Sequence, residues 1–264
     1  HFEKNHNINA YVENREIERG KGVYRNQSFD DKVISKSKYS KENENEADLK
    51  GLERFLKTNY NTENLERVFD ILQYSYLPFE DKEFKKTFFE TDFYQFPENY
   101  FSGDVNPIKP PDDLDETSTH PSIEKRRKQL KEQLALSTSS GKKDFLLSKE
   151  AFNYIRSVAR FEVTYQHYID NEFLPALYTS YLLTQDYPEN YFLQKNIAKS
   201  LYSISKYAER GNKKEVIDKP DEIQGEQYRL YNLMYQMNIR ELNVLALRYC
   251  YDLYVKHDSD ADLK

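Results

Sequence analysis

The chain of 264 residues has few of the residues that interrupt helices, with seven glycines and nine prolines. An all-β fold, whose strands are joined by turns rich in these residues, is therefore not expected, and long helices are. The single cysteine, Cys250, excludes a disulfide within the chain. No apolar run approaches the length needed to cross a bilayer, so we expect no membrane span in this chain.

An excess of basic charge is also lacking. The chain carries 39 Lys and Arg against 45 Asp and Glu, a net charge of −6, and the two signs are interleaved. This balance gives no basic footprint, so nucleic acid is not an expected partner. Apolar residues make up only 38% of the chain, but 23 tyrosines and 16 phenylalanines bury large areas, which predicts an aromatic core.

The first half of the chain combines predicted helices with an irregular aromatic segment. Residues 28–40 are polar and are predicted to form a loop, and an amphipathic helix is predicted from Glu42 to about Lys57. Residues 77–120 are interrupted by proline, and a charged helix is predicted from Ser122 to Leu136 after Pro121. The run Ser-Thr-Ser-Ser-Gly-Lys-Lys-Asp at 137–144 predicts a linker between a domain at 1–136 and a second domain at 145–264.

The second half is predicted to be almost entirely helical. Ala176 and Pro188 have the spacing of the second-helix alanine and the closing proline of a tetratricopeptide (TPR) repeat, and a final helix is predicted at Glu226–Lys256. The first helix of this pair lacks the Trp-Leu-Gly signature of the repeat. A TPR-like array and a generic helical bundle are therefore both compatible with the pattern.

Three segments carry residues that are common in metal sites. His1 and His6 are five residues apart, and residues 40–48 read Ser-Lys-Glu-Asn-Glu-Asn-Glu-Ala-Asp. In a helix the second segment puts Glu44 and Asp48 on one face, because they are four residues apart. Residues 118–126 read Ser-Thr-His-Pro-Ser-Ile-Glu-Lys-Arg and contain His120 and Arg126.

In their order and spacing these segments resemble zinc metallopeptidases of the HtpX and CAAX-prenyl-protease type. The zinc helix of that family reads His-Glu-x-x-His-x-x-x-x-His, and His1 with His6 matches its last two histidines. The other two segments resemble the family's Ser-Arg-x-x-Glu-x-x-Ala-Asp and Ser-Thr-His-Pro-x-x-x-x-Arg motifs. One departure is Lys41 in place of the usual arginine, which keeps the charge but loses the bidentate geometry.

The resemblance implies a Zn²⁺ site and a role for each matching residue. His1 corresponds to the second zinc ligand and Glu44 to the third, while Asp48 corresponds to the carboxylate that orients a histidine ligand. His120 and Arg126 correspond to the catalytic pair that stabilises the oxyanion formed during peptide hydrolysis. The implied fold is mainly α: the C-terminal part of a zincin-type peptidase domain, followed by a TPR-like repeat or bundle.

On this alignment the first zinc histidine and the catalytic glutamate would precede His1. We therefore expect the chain to be an incomplete, inactive part of a zinc metalloendopeptidase that cleaves protein or peptide substrates. The helical half is expected to bind a protein partner. Related peptidases with such modules imply protein quality control at the bacterial periplasm or cell envelope.

Two other interpretations remain open from the sequence. In one, the first half is degenerate and the chain is a non-catalytic TPR-like interaction scaffold. In the other, the chain is a structural helical protein without metal. The discriminating observations are the residues that precede His1 and the convergence of His1, Glu44 and His120 in the folded chain.

Overall fold

The computed structural model of the chain describes residues 27–77, 79–109, 121–137 and 141–263. These residues form helices joined by turns and isolated bridges, without a β-strand among them, so the predicted mainly α fold class is confirmed. The α-helices of the described part are α1 (Gln27–Leu56), α2 (Val68–Gln73), α3 (Ile123–Ala135), α4 (Lys149–Ile169), α5 (Phe173–Thr184), α6 (Tyr191–Glu209), α7 (Tyr228–Gln236) and α8 (Ile239–Lys256).

The chain divides into two compact units, each built from two stretches of sequence. The first comprises His1–Ser75 and Pro110–Leu146, and the second comprises Tyr76–Lys109 and Leu147–Lys264. The sequence placed residues 76–109 with the first half. In the structure Phe84, Phe89 and Phe96 from this segment are buried in the core of the second unit. A single division near residues 137–144 therefore does not describe how this aromatic segment packs.

Part of the predicted linker is packed within the first unit. Lys143 forms an isolated bridge with Tyr60, and its backbone N–H donates to the carbonyl oxygen of Asn59 at 2.9 Å. A Cβ atom at Gly141 would lie 2.2 Å from the backbone of Asn59. Glycine is therefore required here for the close approach of two backbones, rather than for flexibility.

The long helix α1 begins earlier than the sequence predicted. Residues 28–40 are helical and continuous with the segment predicted from Glu42, so the predicted loop is wrong. The physical reason is that no glycine or proline occurs between Gln27 and Gly51, and polar residues such as Lys and Glu are good helix formers. The predicted end near Lys57 agrees with the observed end at Leu56.

The core of the first unit is small and joins α1, α2 and α3. Leu52, Phe69 and Leu130, one from each helix, are its buried residues. The start of α3 at Ile123 agrees with the prediction of a helix from Ser122. Ser122 is the N-cap, and its side chain accepts a hydrogen bond from the N–H of Lys125 at 3.2 Å. Capping fixes where α3 begins, and Leu130 fixes which of its faces packs on α1.

The second unit has a larger core centred on α5. Every residue of α5 except Pro175 is buried, because the helix packs against both α4 and α6. The hydroxyl of Tyr178 donates to the carbonyl oxygen of Lys82 at 2.6 Å, and the hydroxyl of Tyr181 donates to that of Glu83 at 3.0 Å. These bonds hold the irregular aromatic segment onto the helices.

The final predicted helix is interrupted. Instead of one helix at Glu226–Lys256, α7 ends at Gln236 and α8 begins at Ile239. The break occurs because Asn238 forms a capping box with Glu241, in which each side chain accepts a hydrogen bond from the other residue's backbone N–H. The helices α4 to α8 are compatible with TPR-like pairs, and the repeat assignment stays a prediction.

Candidate metal centre

Two of the predicted site residues lie one helical turn apart on α1. Glu44 and Asp48 face α3, and Arg126 on the first turns of α3 reaches them. Because α1 and α3 pack against each other, residues 78 positions apart in sequence meet. Three residues named from two separate motifs therefore belong to one cluster.

Arg126 binds the two carboxylates unequally. Its Nε and Nη2 donate to the two carboxylate oxygens of Asp48 at 2.7 and 2.8 Å, which is a bidentate pair. Its Nη1 lies 3.1 Å from Oε2 of Glu44. All three guanidinium nitrogens are thus engaged by two acids from the same face of α1. We call Glu44, Asp48 and Arg126 the carboxylate clamp.

The carboxylate clamp is partly shielded from water. The exposed fractions of the side chains are 16% for Arg126, 24% for Glu44 and 23% for Asp48. Beneath it, the Cζ atom of Arg126 lies 5.9 Å from the centre of the Phe69 ring, a cation–π distance. The hydrogen bonds to Asp48 raise the pKa of the Arg126 guanidinium, and partial burial opposes them. The clamp therefore contains a permanent positive charge.

The neighbouring arginine offers an internal comparison. Arg127 pairs with Asp70 at 2.7 Å, and its Cζ atom also lies over the Phe69 ring, at 6.0 Å. Its own side chain is 17% exposed, but Asp70 is 52% exposed. Arg127 thus lies on the same helix and over the same ring as Arg126, but its acidic partners, Asp70 and Glu124, are more exposed than those of Arg126.

An open groove lies beside the carboxylate clamp. Its volume is about 370 Å³, and its lining is mainly apolar. Asp48 and Arg126 form its polar end. The remaining lining residues are Ala47, Gly51, Leu52, Phe55, Leu65, Val68, Phe69, Leu72 and Leu130. This combination suits a ligand in which an apolar side chain lies next to a polar group.

The two histidines predicted to complete the site, His1 and His120, lie outside the described residues. Within the residues that the structure describes, no three His, Cys, Asp or Glu side chains form a group that could hold a metal ion. The donor chemistry of the described part fits zinc through Glu44, a carboxylate of the type that completes histidine-containing zinc sites. A metal ion bound through Oε2 of Glu44 would replace Nη1 of Arg126 as the partner of this oxygen.

The meeting of Asp48 with Arg126 was not predicted. The family resemblance implied that Asp48 orients a histidine ligand and that Arg126 stabilises the oxyanion. In the structure both carboxylate oxygens of Asp48 accept hydrogen bonds from Arg126. The available signal was the complementary charge of two motifs expected at one site. These contacts add a mutual interaction to the predicted roles, which stay predictions.

Cys250 and the histidines of the second unit have structural surroundings. Burial raises the pKa of the Cys250 thiol, whose Sγ lies 3.6 Å from the carbonyl oxygen of Ala198. Nδ1 of His167 lies 2.6 Å from a carboxylate oxygen of Glu172, and the His257 ring packs on Tyr191. These contacts agree with ordinary structural roles for all three residues.

The described helices include none with both the length and the apolar character needed to span a membrane.

In comparisons with known proteins, residues 29–134 match the family model described as peptidase family M48. This range is less than half of the chain. The matched range contains Glu44, Asp48, His120 and Arg126. No curated protein and no solved structure matches the chain. The family match supports a zinc metallopeptidase in general, with protein substrates.

Proposed function

We propose that the chain is part of a zinc metalloendopeptidase of the HtpX-like type, with Glu44 as a zinc ligand. The observation that carries the proposal is the carboxylate clamp. Two motifs that the resemblance assigned to one active site, at 40–48 and 118–126, meet through hydrogen bonds of 2.7 and 2.8 Å. Each motif was assigned to the active site on its own, so their meeting supports one shared site.

In this proposal zinc is held by Glu44, His1 and a histidine upstream of His1. Zinc, when bound, lowers the pKa of a coordinated water and polarises the substrate carbonyl. Asp48 holds the guanidinium of Arg126 through two hydrogen bonds, which keeps its charge near Glu44. Arg126 and His120 stabilise negative charge that develops on the substrate carbonyl oxygen, and the groove beside the clamp receives an apolar substrate side chain.

The test is hydrolysis of an unstructured protein such as casein by the chain extended upstream to include the predicted His-Glu-x-x. We expect chelator-sensitive cleavage that Glu44→Gln abolishes and Glu46→Gln retains, because Glu46 pairs instead with Lys50 on an exposed face of α1. The chain that begins at His1 should bind zinc weakly and cleave nothing. Chelator-sensitive cleavage by that shorter chain would refute the proposed division of the site.

The second unit, in this proposal, binds a protein that brings the peptidase to its substrate. Val244, Leu247, Tyr251 and Val255 recur every three or four residues along α8, and 49%, 72%, 62% and 61% of their surfaces are exposed. A continuous apolar face of this kind is typical of a protein contact. The placement in protein quality control at the bacterial periplasm or cell envelope rests on the family resemblance alone.

The same apolar face favours a second candidate, a non-catalytic TPR-like scaffold. The two candidates differ in what Glu44 does. A scaffold would bind its partner equally well with Glu44 or with Gln at this position. Its partner binding would also be the same with and without zinc. Partner binding measured for wild-type chain and for Leu247→Glu would locate the protein contact in either case, because Leu247 is not part of the core.

A further inference from the structure

The carboxylate clamp contains one firm contact and one weaker contact. Asp48 accepts two hydrogen bonds from Arg126, at 2.7 and 2.8 Å, whereas Glu44 has a single contact with it at 3.1 Å. A bidentate charged pair has more strength and more directional restraint than a single longer contact. Asp48 therefore sets the position of the guanidinium, and the contact with Glu44 is the one more readily exchanged.

We propose that Arg126 competes with the metal for Glu44. Without metal, Nη1 of Arg126 balances the charge of Glu44. Zinc bound by Glu44 replaces that contact, while Asp48 keeps the guanidinium beside the site. This inference rests on the proposed function, in which Glu44 is a zinc ligand.

Electrostatics determines the sign of the expected effect. At about 6 Å, repulsion between a guanidinium and a divalent cation lowers metal affinity about ten-fold even in a water-like dielectric. Partial burial of the clamp lowers the local dielectric constant and strengthens the repulsion. The opposing contribution, ordering of the Glu44 side chain by Arg126, is worth about a few-fold. Removing the charge of Arg126 should therefore raise the affinity for zinc.

The exchange has a consequence for the reaction. Nη1 is occupied by Glu44 when the metal is absent and is released when the metal is bound. The released N–H groups can then donate to a substrate carbonyl oxygen, which is the role that the family resemblance implies for Arg126. Zinc binding and the availability of Arg126 would thus be linked. In the metal-free site Arg126 would balance the charges of Glu44 and Asp48.

The experiment measures zinc affinity by isothermal titration calorimetry, in the chain extended upstream to include the predicted His-Glu-x-x. Glu44→Gln identifies the part of the binding that depends on this ligand. Arg126→Gln should strengthen that part about three- to ten-fold, which is the repulsion less the opposing ordering contribution, and Arg126→Lys, which keeps the charge, should stay within about two-fold of wild type. The matched control is Arg127→Gln, from the neighbouring arginine over the same ring, with an expected change of less than about two-fold.

Helix content by circular dichroism checks that each variant folds. Arg126→Met, which keeps an apolar contact with Phe69 and removes the charge, gives a second neutral variant. Zinc binding that needs Glu44 but is unchanged or weaker in the neutral Arg126 variants would overturn the inference and leave the proposed function standing. Zinc binding that does not need Glu44, or no binding by any variant, would overturn the zinc site itself.

Discussion

The bidentate pair of Asp48 and Arg126 makes a quantitative prediction about stability. Charge-assisted hydrogen bonds contribute about 1.5–3 kcal/mol, and the low exposure of these side chains, 16% and 23%, places this pair near about 2 kcal/mol. A double-mutant cycle of Arg126→Gln, Asp48→Asn and the double variant should return a coupling free energy of that size. The same cycle on Arg127 and Asp70 should give about 0.5 kcal/mol, because Asp70 is 52% exposed.

The assay is urea unfolding in the presence of a chelator, followed by far-ultraviolet circular dichroism. Because the chain has two units, hydrogen exchange of the amides in α3 assigns the change in the free energy of unfolding to the first unit. The comparison between cycles removes the general cost of deleting an arginine from α3. A coupling at Asp48–Arg126 no larger than that at Asp70–Arg127 would refute the view that the clamp is a preformed, partly shielded site.

Three further predictions concern the fold that supports the site. Ser122→Ala removes the N-cap of α3 and should lower the free energy of unfolding of the first unit by about 1 kcal/mol, measured by urea unfolding. Leu177→Ala should cost the second unit about 2–5 kcal/mol in the same assay, and the exposed control Leu247→Ala less than about 0.5 kcal/mol. Burial raises the pKa of the Tyr178 hydroxyl, so the folded state holds this proton when the unfolded state has lost it. The free energy of unfolding should therefore fall as pH rises above about 10. The fall should be less steep in Tyr178→Phe than in the exposed control Tyr251→Phe. Equal slopes of this free energy against pH in the two variants, measured by chemical unfolding, would contradict this cause.

Proline, capping residues and apolar spacing in the sequence predicted the helix bounds that contacts between neighbouring residues determine. The bounds of α3 follow from Pro121, the cap at Ser122 and the apolar spacing, and the structure agrees with them within a residue. The beginning of α1 was missed because residues 28–40 are mostly polar and show no clear amphipathic pattern in the sequence. The break at Asn238 was missed because a residue inside an apolar pattern became a cap.

The aromatic segment at 76–109 shows why the packing of an irregular region is harder to predict. Its phenylalanines predicted burial, but composition does not say which core receives them. The answer depends on contacts such as Tyr178 with Lys82, 96 residues apart in sequence. For the same reason the sequence named Glu44, Asp48 and Arg126 one by one, whereas their mutual hydrogen bonds appear only when α1 and α3 are packed together.

The most direct test of the central claim is to determine the coding sequence upstream of His1. If the chain is part of a zinc metallopeptidase, the four preceding residues should read His-Glu-x-x, which supplies the missing zinc ligand and the catalytic base in one helical turn. An unrelated sequence at that place would contradict the account, because Glu44 and His1 could not then belong to a complete catalytic zinc site.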